Sequence, residues 1–370
     1  MAASTVLKER PEELTVVPGK TETGNPIFSV LVKRTYDVRP GQAVVRAQKT
    51  NPLVKVDVYY DHGDPETCCV KYETDLVPYK PATDVVAIAK AYCPAAKPVA
   101  EMDVSIELDG RKKAVRVIGD RRCIFREGHP PAFTEPVEFT EMEIRYERAY
   151  GGTDARANPA LPFSYPRNHL GTGMVLKNAR ESIDGLPLPN LEDPADLLIP
   201  ERVVLGEPER WNQQPLPQGF GWFQRTWYPR CSFVGSVPGF VDPDEIMREE
   251  ALGLVPKGQI ALARQFKLPS FDVRFNNGAS LGMTFPYLAG AERVRLTNLT
   301  PSGQLEFYLP DDPPKIMMDI GLGENELQPV LQTVSIRPEE MQVDLLWRGA
   351  HEYPGVEWLP EMKKMVTIVS

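Results

Sequence analysis

The chain has 370 residues and a net charge of −9, and this acidic balance argues against a nucleic-acid partner because nucleic-acid phosphates repel an acidic surface. Hydrophobic residues make up 42% and charged residues 25% of the chain, which excludes a disordered or membrane-embedded protein. The 37 prolines are about twice the usual share of about 5%. They favour short strands and structured loops over long helices, since proline lacks a backbone donor.

Targeting signals are the next feature. Residues 1–10 lack the apolar stretch of a signal peptide, and no run of about 18 apolar residues marks a membrane span. We therefore expect a cytoplasmic protein without a membrane segment.

Strand patterns dominate the first 150 residues. Residues 28–36 are rich in β-branched and aromatic side chains. Residues 103–108 alternate polar and apolar side chains, meet Asp109 and Gly110, and are followed by a return strand at residues 114–118. Because glycine tolerates positive φ, this arrangement predicts a tight hairpin.

A third alternating run covers residues 141–147. Its apolar face carries Met142, Ile144 and Tyr146, and its opposite face is mostly acidic. Two carboxylates on such a face resemble the paired acids of glycoside hydrolases. A solvated strand face is the commoner explanation. The acids concerned are Glu138, Glu141, Glu143 and Glu147.

The middle of the chain, residues 151–239, has a dozen prolines and little periodicity. It also has too many aromatic rings for a free linker. We expect a long ordered loop layer whose rings pack onto the sheets, although such rings also suit a partner-binding surface. The rings are Trp211, Phe220, Trp222, Phe223, Trp227 and Tyr228.

Beyond this segment, residues 243–252 are the best helix candidate, with a proline in the first turn and acids near the start. Strand patterns then resume. They cover residues 293–299, 304–309, 332–336, 342–347 and 365–369.

Strands at both ends and the absence of a βαβ rhythm predict a mainly β fold with few short helices. We expect antiparallel sheets in sandwich-like or irregular barrel packing, joined by long ordered loops rich in proline and glycine. The expected regions are an N-terminal β region (1–150), the loop-rich middle (151–239) and a C-terminal β region (240–370). They form one compact unit or two interlocked β domains.

Metal, phosphate and nucleophile motifs are missing from the sequence. The five cysteines and four histidines are not spaced as zinc ligands. No glycine cluster completes a phosphate-binding motif, and no G-x-S-x-G elbow occurs. We therefore expect no cofactor, no metal and no enzymatic activity.

Several short sequence motifs together resemble those of a bacterial family of formally uncharacterised domains. Residues 71–85 resemble its signature y-e-s-D-l-v-p-x-K-P-x-t-D-v, and residues 117–121 resemble its V-x-G-d-R strand end. Residues 146–152 resemble y-e-r-A-f-G-G. Further matches follow in the family's order at residues 158–159, 171–173, 188–192, 217–221, 227–230 and 345–349.

Genes of that family often accompany those for VgrG spikes, PAAR-repeat tips and toxic effectors of type VI secretion. The resemblance implies a cytoplasmic adaptor or chaperone that holds an effector, or its PAAR or VgrG carrier, and assists loading on the spike. It implies no catalytic residue. A carbohydrate-active enzyme or glycan-binding β-sandwich is the alternative, supported by the acidic strand.

The resemblance also selects candidate partner-binding or signature residues. Two departures lie in the loop-rich middle: residues 163–169 form a longer insertion than the family pattern, and residues 231–236 lack its G-t-y-D-x-x-W ending. The candidate residues are Tyr72, Asp75, Lys80, Asp84, Asp120, Arg121, Tyr150, Trp222, Trp227 and Arg230.

Overall fold

A computed structural model describes residues 13–20, 26–156, 158–234, 272–319, 324–352 and 366–369. Within these residues the fold is mainly β, as the sequence predicts, and its sheets are open and mostly antiparallel, without a closed barrel. No helix in this part of the chain is long and apolar enough to cross a membrane. The helix predicted for residues 243–252 lies outside the described residues.

The strands are short in the middle of the chain and longer at its ends. In the N-terminal part they are β1 (Glu13–Lys20), β2 (Pro26–Asp37), β3 (Val45–Arg46), β4 (Val58–Tyr59), β5 (Val70–Tyr72), β6 (Thr83–Ala87), β7 (Lys90–Tyr92), β8 (Glu101–Leu108), β9 (Arg111–Ile118), β10 (Cys123–Ile124), β11 (Ala132–Phe133), β12 (Glu141–Glu143), β13 (Tyr150–Gly151) and β14 (Thr153–Asp154). They continue as β15 (Phe163–Ser164), β16 (Thr172–Gly173), β17 (Leu191–Glu192), β18 (Thr284–Phe285), β19 (Arg293–Thr297), β20 (Gln304–Tyr308), β21 (Lys315–Asp319), β22 (Glu324–Leu327), β23 (Pro329–Arg337), β24 (Gln342–Glu352) and β25 (Val366–Val369).

Helical structure is sparse. In the described ranges there is one α-helix, α1 (Arg180–Ile183). The remaining helical residues form short 3-10 helices at Tyr60–His62, Pro94–Ala96, Tyr146–Arg148, Pro200–Arg202, Pro208–Gln213, Arg230–Phe233, Val273–Asn276 and Pro338–Glu340.

Two sheets dominate the architecture. The seven-stranded sheet has the order β1-β2-β24-β23-β6-β18, with β3 paired to β2, and the five-stranded sheet has the order β17-β9-β8-β19-β20. Within these two sheets neighbouring strands are antiparallel, except that β6 runs parallel to β23. A three-stranded sheet (β22-β21-β25) and several two-stranded ribbons complete the fold.

Each main sheet joins strands from both ends of the chain. Strand β2 pairs with β24 over eleven residues, and β8 pairs with β19 over four. Because the paired strands are far apart in sequence, neither sheet is complete until both ends of the chain have come together.

The apolar faces of the two main sheets meet in one core, as in a sandwich. Val30 and Val32 of β2 share this core with Ile106 of β8 and with Val294 and Leu296 of β19. These residues alternate with residues on the other face of each sheet because successive side chains of a strand point to opposite faces. In β2 that other face is buried as well, since Leu31 is 0% exposed. Full burial of each such side chain stabilises the fold by roughly 1.5–3 kcal/mol.

The predicted hairpin is confirmed, since β8 and β9 pair directly around Asp109 (φ 48°) and Gly110 (φ 78°). The third alternating run is only partly a strand. It leaves β12 after Glu143 and becomes a 3-10 helix at Tyr146–Arg148. Its apolar side chains, Met142, Ile144 and Tyr146, are nevertheless all buried, so the predicted burial pattern is retained although the strand is shorter.

The aromatic rings of the middle segment divide among three places. Trp222 packs in a small cluster with Val70 and Val86. Phe220, Phe223 and Trp227 enter the core between the sheets, as expected. Trp211 instead lies in a second apolar cluster built largely from the middle segment itself, and Tyr228 packs against that cluster. The loop layer therefore has a core of its own in addition to the rings that it contributes to the sandwich.

Gly119, at the end of β9, lies where two chain segments approach closely. A Cβ added at this residue would be 1.8 Å from the carbonyl oxygen of Val137 and 3.4 Å from that of Ala100. The backbones of two chain segments therefore approach closely at the end of β9.

Replacement of Gly119 by alanine should destabilise the fold by at least about 2 kcal/mol, because the new methyl group would overlap a backbone carbonyl. Gly221→Ala is the matched control, since a Cβ there would meet no atom within 4 Å, and its effect should stay below about 0.5 kcal/mol. Urea unfolding measures both. An unchanged midpoint for Gly119→Ala would contradict the expected clash.

Candidate partner-binding site

The ten signature residues do not share one surface. Six are buried, whereas Asp120 is exposed and three are half-buried. The half-buried residues are Tyr72, Asp75 and Arg121. The buried ones are Lys80, Asp84, Tyr150, Trp222, Trp227 and Arg230.

Lys80 and Asp84 form an ion pair in the interior. Lys80 Nζ lies 2.7 Å from Asp84 Oδ2, and the side chains are 2% and 0% exposed. Lys80 also donates to Thr333 Oγ1 of β23 at 3.2 Å, and its ammonium lies 4.7 Å from the centre of the Trp222 ring. Three of the signature residues, Lys80, Asp84 and Trp222, are thus in one cluster.

The carboxylate of Asp84 also holds the chain after residue 276. It accepts from Asn277 Nδ2 at 3.0 Å and from the backbone N–H groups of Gly278 and Ala279 at 2.9 and 3.3 Å. A carboxylate with this many donors fixes the segments around it. The pair is a structural joint between β6, β23 and the loop layer.

Arg230 belongs to a neighbouring cluster centred on Glu73. Its Nη2 donates to Glu73 Oε1 at 2.7 Å, while its other nitrogens donate to the carbonyl oxygens of Phe223 and Phe275 at 2.7 and 2.8 Å. Arg225 Nη2 lies 2.6 Å from the same Glu73 oxygen. One buried carboxylate therefore binds two guanidinium groups of the loop layer.

Asp75 makes a third polar joint. Its Oδ2 accepts from Lys33 Nζ of β2 at 2.9 Å and from the backbone N–H of Val54 at 2.8 Å. Beside it is a cavity of about 20 Å³, which Tyr72 and Glu73 also line. This volume suits a single water molecule.

Asp120 and Arg121 lie in another part of the fold, beside a shallow cleft of about 420 Å³. Asn190 Nδ2 donates to Asp120 Oδ1 at 3.0 Å, and Arg121 forms an ion pair with Glu192 of β17. Burial raises the pKa of Glu192, although the charge of Arg121 opposes that shift. These contacts join the end of β9 to β17.

Tyr150 lies in the second apolar cluster, where its hydroxyl donates to Gln214 Oε1 at 3.3 Å. Trp227 lies in the main core, and its Nε1–H donates to His169 Nδ1 at 3.0 Å. Because indole can only donate, the proton of the neutral His169 ring is on Nε2, which lies 3.0 Å from the carbonyl oxygen of Pro65. Burial lowers the pKa of His169.

A cleft of about 490 Å³ lies beside these buried contacts and is here called the tyrosine cleft. It is larger than the cleft beside Asp120 and the cavity beside Asp75. It is lined by Tyr59, Tyr60, Lys71 and Tyr72, which lie in or next to the β4–β5 ribbon, and by Arg145. Tyr72 also borders the small cavity beside Asp75, so the cleft lies directly outside the buried joints.

Cations of the chain itself lie against the tyrosine rings. Lys71 Nζ is 5.6 Å from the ring centre of Tyr60 and 5.5 Å from that of Tyr72. The guanidinium carbon of Arg145 is 4.4 Å from the ring centre of Tyr60. Burial raises the pKa of the Tyr60 hydroxyl, so this ring is neutral at physiological pH.

Carboxylates surround the cleft. Arg145 forms ion pairs with Asp61 at 2.7 Å, Glu147 at 3.2 Å and Glu143 at 3.3 Å. The hydrogen bond from Arg145 lowers the pKa of Asp61. Glu339 pairs with Lys90 at 3.2 Å, and a hydrogen bond from Tyr92 lowers the pKa of Glu339.

The four acids of the third alternating run separate in the structure. Glu138 and Glu141 are exposed, whereas Glu143 lines the tyrosine cleft. Glu147 turns towards the interior, where Oε1 accepts from the backbone N–H of Cys69 at 2.8 Å and Oε2 accepts from its thiol at 2.9 Å. Burial raises the pKa of this thiol, which stays protonated. All five cysteines are free.

A family model described as an uncharacterized protein conserved in bacteria, DUF2169, matches residues 23–348. The match covers most of the chain and includes all ten signature residues. The protein therefore belongs to this bacterial family, and the resemblance to a family of uncharacterised bacterial domains is confirmed. Neither the curated proteins nor the solved structures gave a significant match.

Sequence reasoning did not select several residues that complete these sites. Glu73 stands in the signature segment, yet nothing in the sequence connects it with Arg230, 157 positions later. No sequence pattern points to Arg225 or Lys33 either, because the carboxylate that each of them binds is distant in sequence. Two adjacent tyrosines before a turn, Tyr59 and Tyr60, were the only available hint of the cleft.

Asp84→Ala should destabilise the protein by about 3–5 kcal/mol, since it leaves the buried Lys80 charge uncompensated and removes the acceptor of several N–H groups. Asp120→Asn is the control, because Asp120 is exposed and asparagine keeps the acceptor oxygen. Its effect should remain within about 0.5 kcal/mol. Urea unfolding at neutral pH measures both, and similar losses for the two variants would refute the assignment.

The stability of the protein should decrease as the pH falls below about 6.5, the usual pKa of histidine. The pKa of His169 is lowered in the folded state, so the unfolded chain binds more protons in this range and the folded state loses free energy. His169→Gln should flatten the pH profile of unfolding, whereas His129→Gln, at an exposed position, should leave it unchanged. Identical profiles for wild type and His169→Gln would exclude this role.

Proposed function

We propose that the protein is a non-enzymatic adaptor or chaperone of type VI secretion. It binds an effector toxin, or the PAAR or VgrG protein that carries the effector, in the cytoplasm and assists its loading on the spike. The proposal rests on the succession of family sequence motifs, which follow in the family's order from residues 71–85 to residues 345–349. The proposal requires neither nucleic acid nor membrane nor cofactor.

The positions of the signature residues support a binding role. Lys80, Asp84 and Arg230 make saturated ion pairs and hydrogen bonds that hold loops to sheets. Residues that are fully used in this way are framework rather than reacting groups. The same framework presents the tyrosine cleft at its outer side, and tyrosine and arginine are enriched among the residues that dominate protein interfaces.

A glycan-binding protein is the second candidate, favoured by one observation. The tyrosine cleft combines aromatic rings with the carboxylates of Asp61 and Glu143, and sugars are bound by such rings and hydrogen-bond acceptors. A glycan array tests it. Binding that is lost in Tyr60→Ala would favour this candidate over the adaptor.

The adaptor proposal predicts a stable complex with a secretion protein. An affinity-tagged copy expressed in the native bacterium should recover a PAAR, VgrG or effector protein at near-stoichiometric amounts. Deletion of the gene should lower the level of that protein, and the wild-type gene should restore it. Recovery of no such protein, with unchanged levels in the deletion strain, would reject the proposal.

The tagged double variant Glu201→Gln/Glu209→Gln serves as the surface control. Both acids are exposed and lie away from the tyrosine cleft. This variant should recover the same protein in the same amount.

A further inference from the structure

We infer that the tyrosine cleft binds an arginine side chain of the partner protein. This inference rests on the proposed adaptor function and names the chemistry of the contact. It follows from three observations: rings that already hold cations, carboxylates that are more exposed than the cations with which they pair, and carboxylate oxygens that no donor of the described chain uses.

The rings are the first observation. Tyr59, Tyr60 and Tyr72 line the cleft, and Lys71 and Arg145 lie within 5.6 Å of the Tyr60 ring centre. The site is therefore electrostatically suited to a cation over an aromatic face. A guanidinium is favoured over an ammonium because it is planar, stacks on rings and is more weakly hydrated.

The exposure of the charges is the second observation. Three carboxylates line the cleft, those of Asp61, Glu143 and Glu339, and the cations Lys71, Lys90 and Arg145 line it as well. The two signs are equal in number, but the carboxylates are nearer to solvent than the cations with which they pair. The side chains of Asp61, Glu143 and Glu339 are 67%, 45% and 43% exposed, against 13% for Arg145 and 31% for Lys90.

The free acceptors are the third observation. Arg145 reaches only Oδ2 of Asp61 and Oε2 of Glu143, while Tyr92 and Lys90 both reach Oε1 of Glu339. Among the described residues, the other oxygen of each carboxylate accepts no hydrogen bond. A guanidinium offers five N–H donors in a planar fork and matches several carboxylate oxygens at once.

Apolar side chains at the rim of the cleft are placed to contact the partner residues that flank the arginine. Val58 lines the cleft and is 40% exposed, and Val56 nearby is 72% exposed. Exposed valines beside a charged aromatic cleft form the mixed surface expected of a protein contact. The net charge of −9 would further attract a basic segment over a longer range.

Substitution of Lys71 tests the inference, because the direction of the change in affinity differs between a cationic and an anionic ligand. It forms no ion pair in the described part of the chain, and it lies between the Tyr60 and Tyr72 rings. For a cationic ligand it is a competing charge, so Lys71→Met should strengthen binding. For an anionic ligand it would be the anchor, so the same change should weaken binding.

The test uses three fluorescein-labelled heptapeptides and the full-length protein, with binding followed by fluorescence polarisation at low salt. One peptide carries two arginines, the second carries citrulline at those positions, and the third carries glutamate. Citrulline keeps the planar shape and removes the charge. The arginine peptide should bind at least about tenfold more tightly than the citrulline peptide, the ratio expected for charge-assisted contacts.

The variants localise the binding. Asp61→Asn/Glu339→Gln should weaken arginine-peptide binding by about tenfold, whereas Glu201→Gln/Glu209→Gln, which changes the net charge equally, should have no effect. Lys71→Met should strengthen binding by a few fold. Equal losses in the two double variants, equal binding of the arginine and citrulline peptides, or preferred binding of the glutamate peptide would each overturn the inference.

A parallel co-purification separates this inference from the adaptor function. If wild type and Asp61→Asn/Glu339→Gln recover a secretion protein equally well, the protein is an adaptor that uses another surface, and the arginine contact is wrong. If the arginine peptide binds the cleft while no secretion protein is recovered, the contact stands and the adaptor function fails.

Discussion

The buried ion pair of Lys80 and Asp84 is the interaction on which the rest of the structure depends. It lies where β6 runs parallel to β23, beneath the ring of Trp222, and it holds the chain that follows residue 276. A desolvated pair of this kind is weak as a source of net stability, but removal of either partner leaves a charge that nothing compensates. The ion pair therefore determines which segments pack together more than it contributes to the free energy of unfolding.

The same logic explains why polar joints are so frequent in this fold. The middle segment has strands of only two residues, so few of its backbone groups are satisfied by strand pairing. Backbone hydrogen bonds within the loops and side chains share that task. Arg230 donates to the carbonyl oxygens of Phe223 and Phe275, and Asn168 donates to those of Tyr146 and Tyr150. A loop-rich layer held in this way keeps a defined surface without regular secondary structure.

This construction places the tyrosine cleft on a rigid support. Tyr72 borders both the cleft and the cavity beside Asp75, and Glu147 connects the Arg145 side of the cleft to the buried Cys69. The rings and charges are thus pre-positioned, which lowers the entropy lost when a partner binds. A surface carried by the framework suits the proposed adaptor function better than one formed by free loops.

The sequence alone determined the mainly β fold, the β8–β9 hairpin and the buried faces of the alternating runs, because these features depend on periods and turn residues that are local. The family motifs also selected Lys80 and Asp84, as candidate partner-binding or signature residues, whereas their buried ion pair is known only from the tertiary structure. Only the tertiary structure decided that β6 lies beside β23, that Glu73 binds Arg230, and that Tyr59 and Arg145 line one cleft. Those contacts join positions far apart in the chain, and no local pattern records which distant residue will complete a charge pair or a cavity wall.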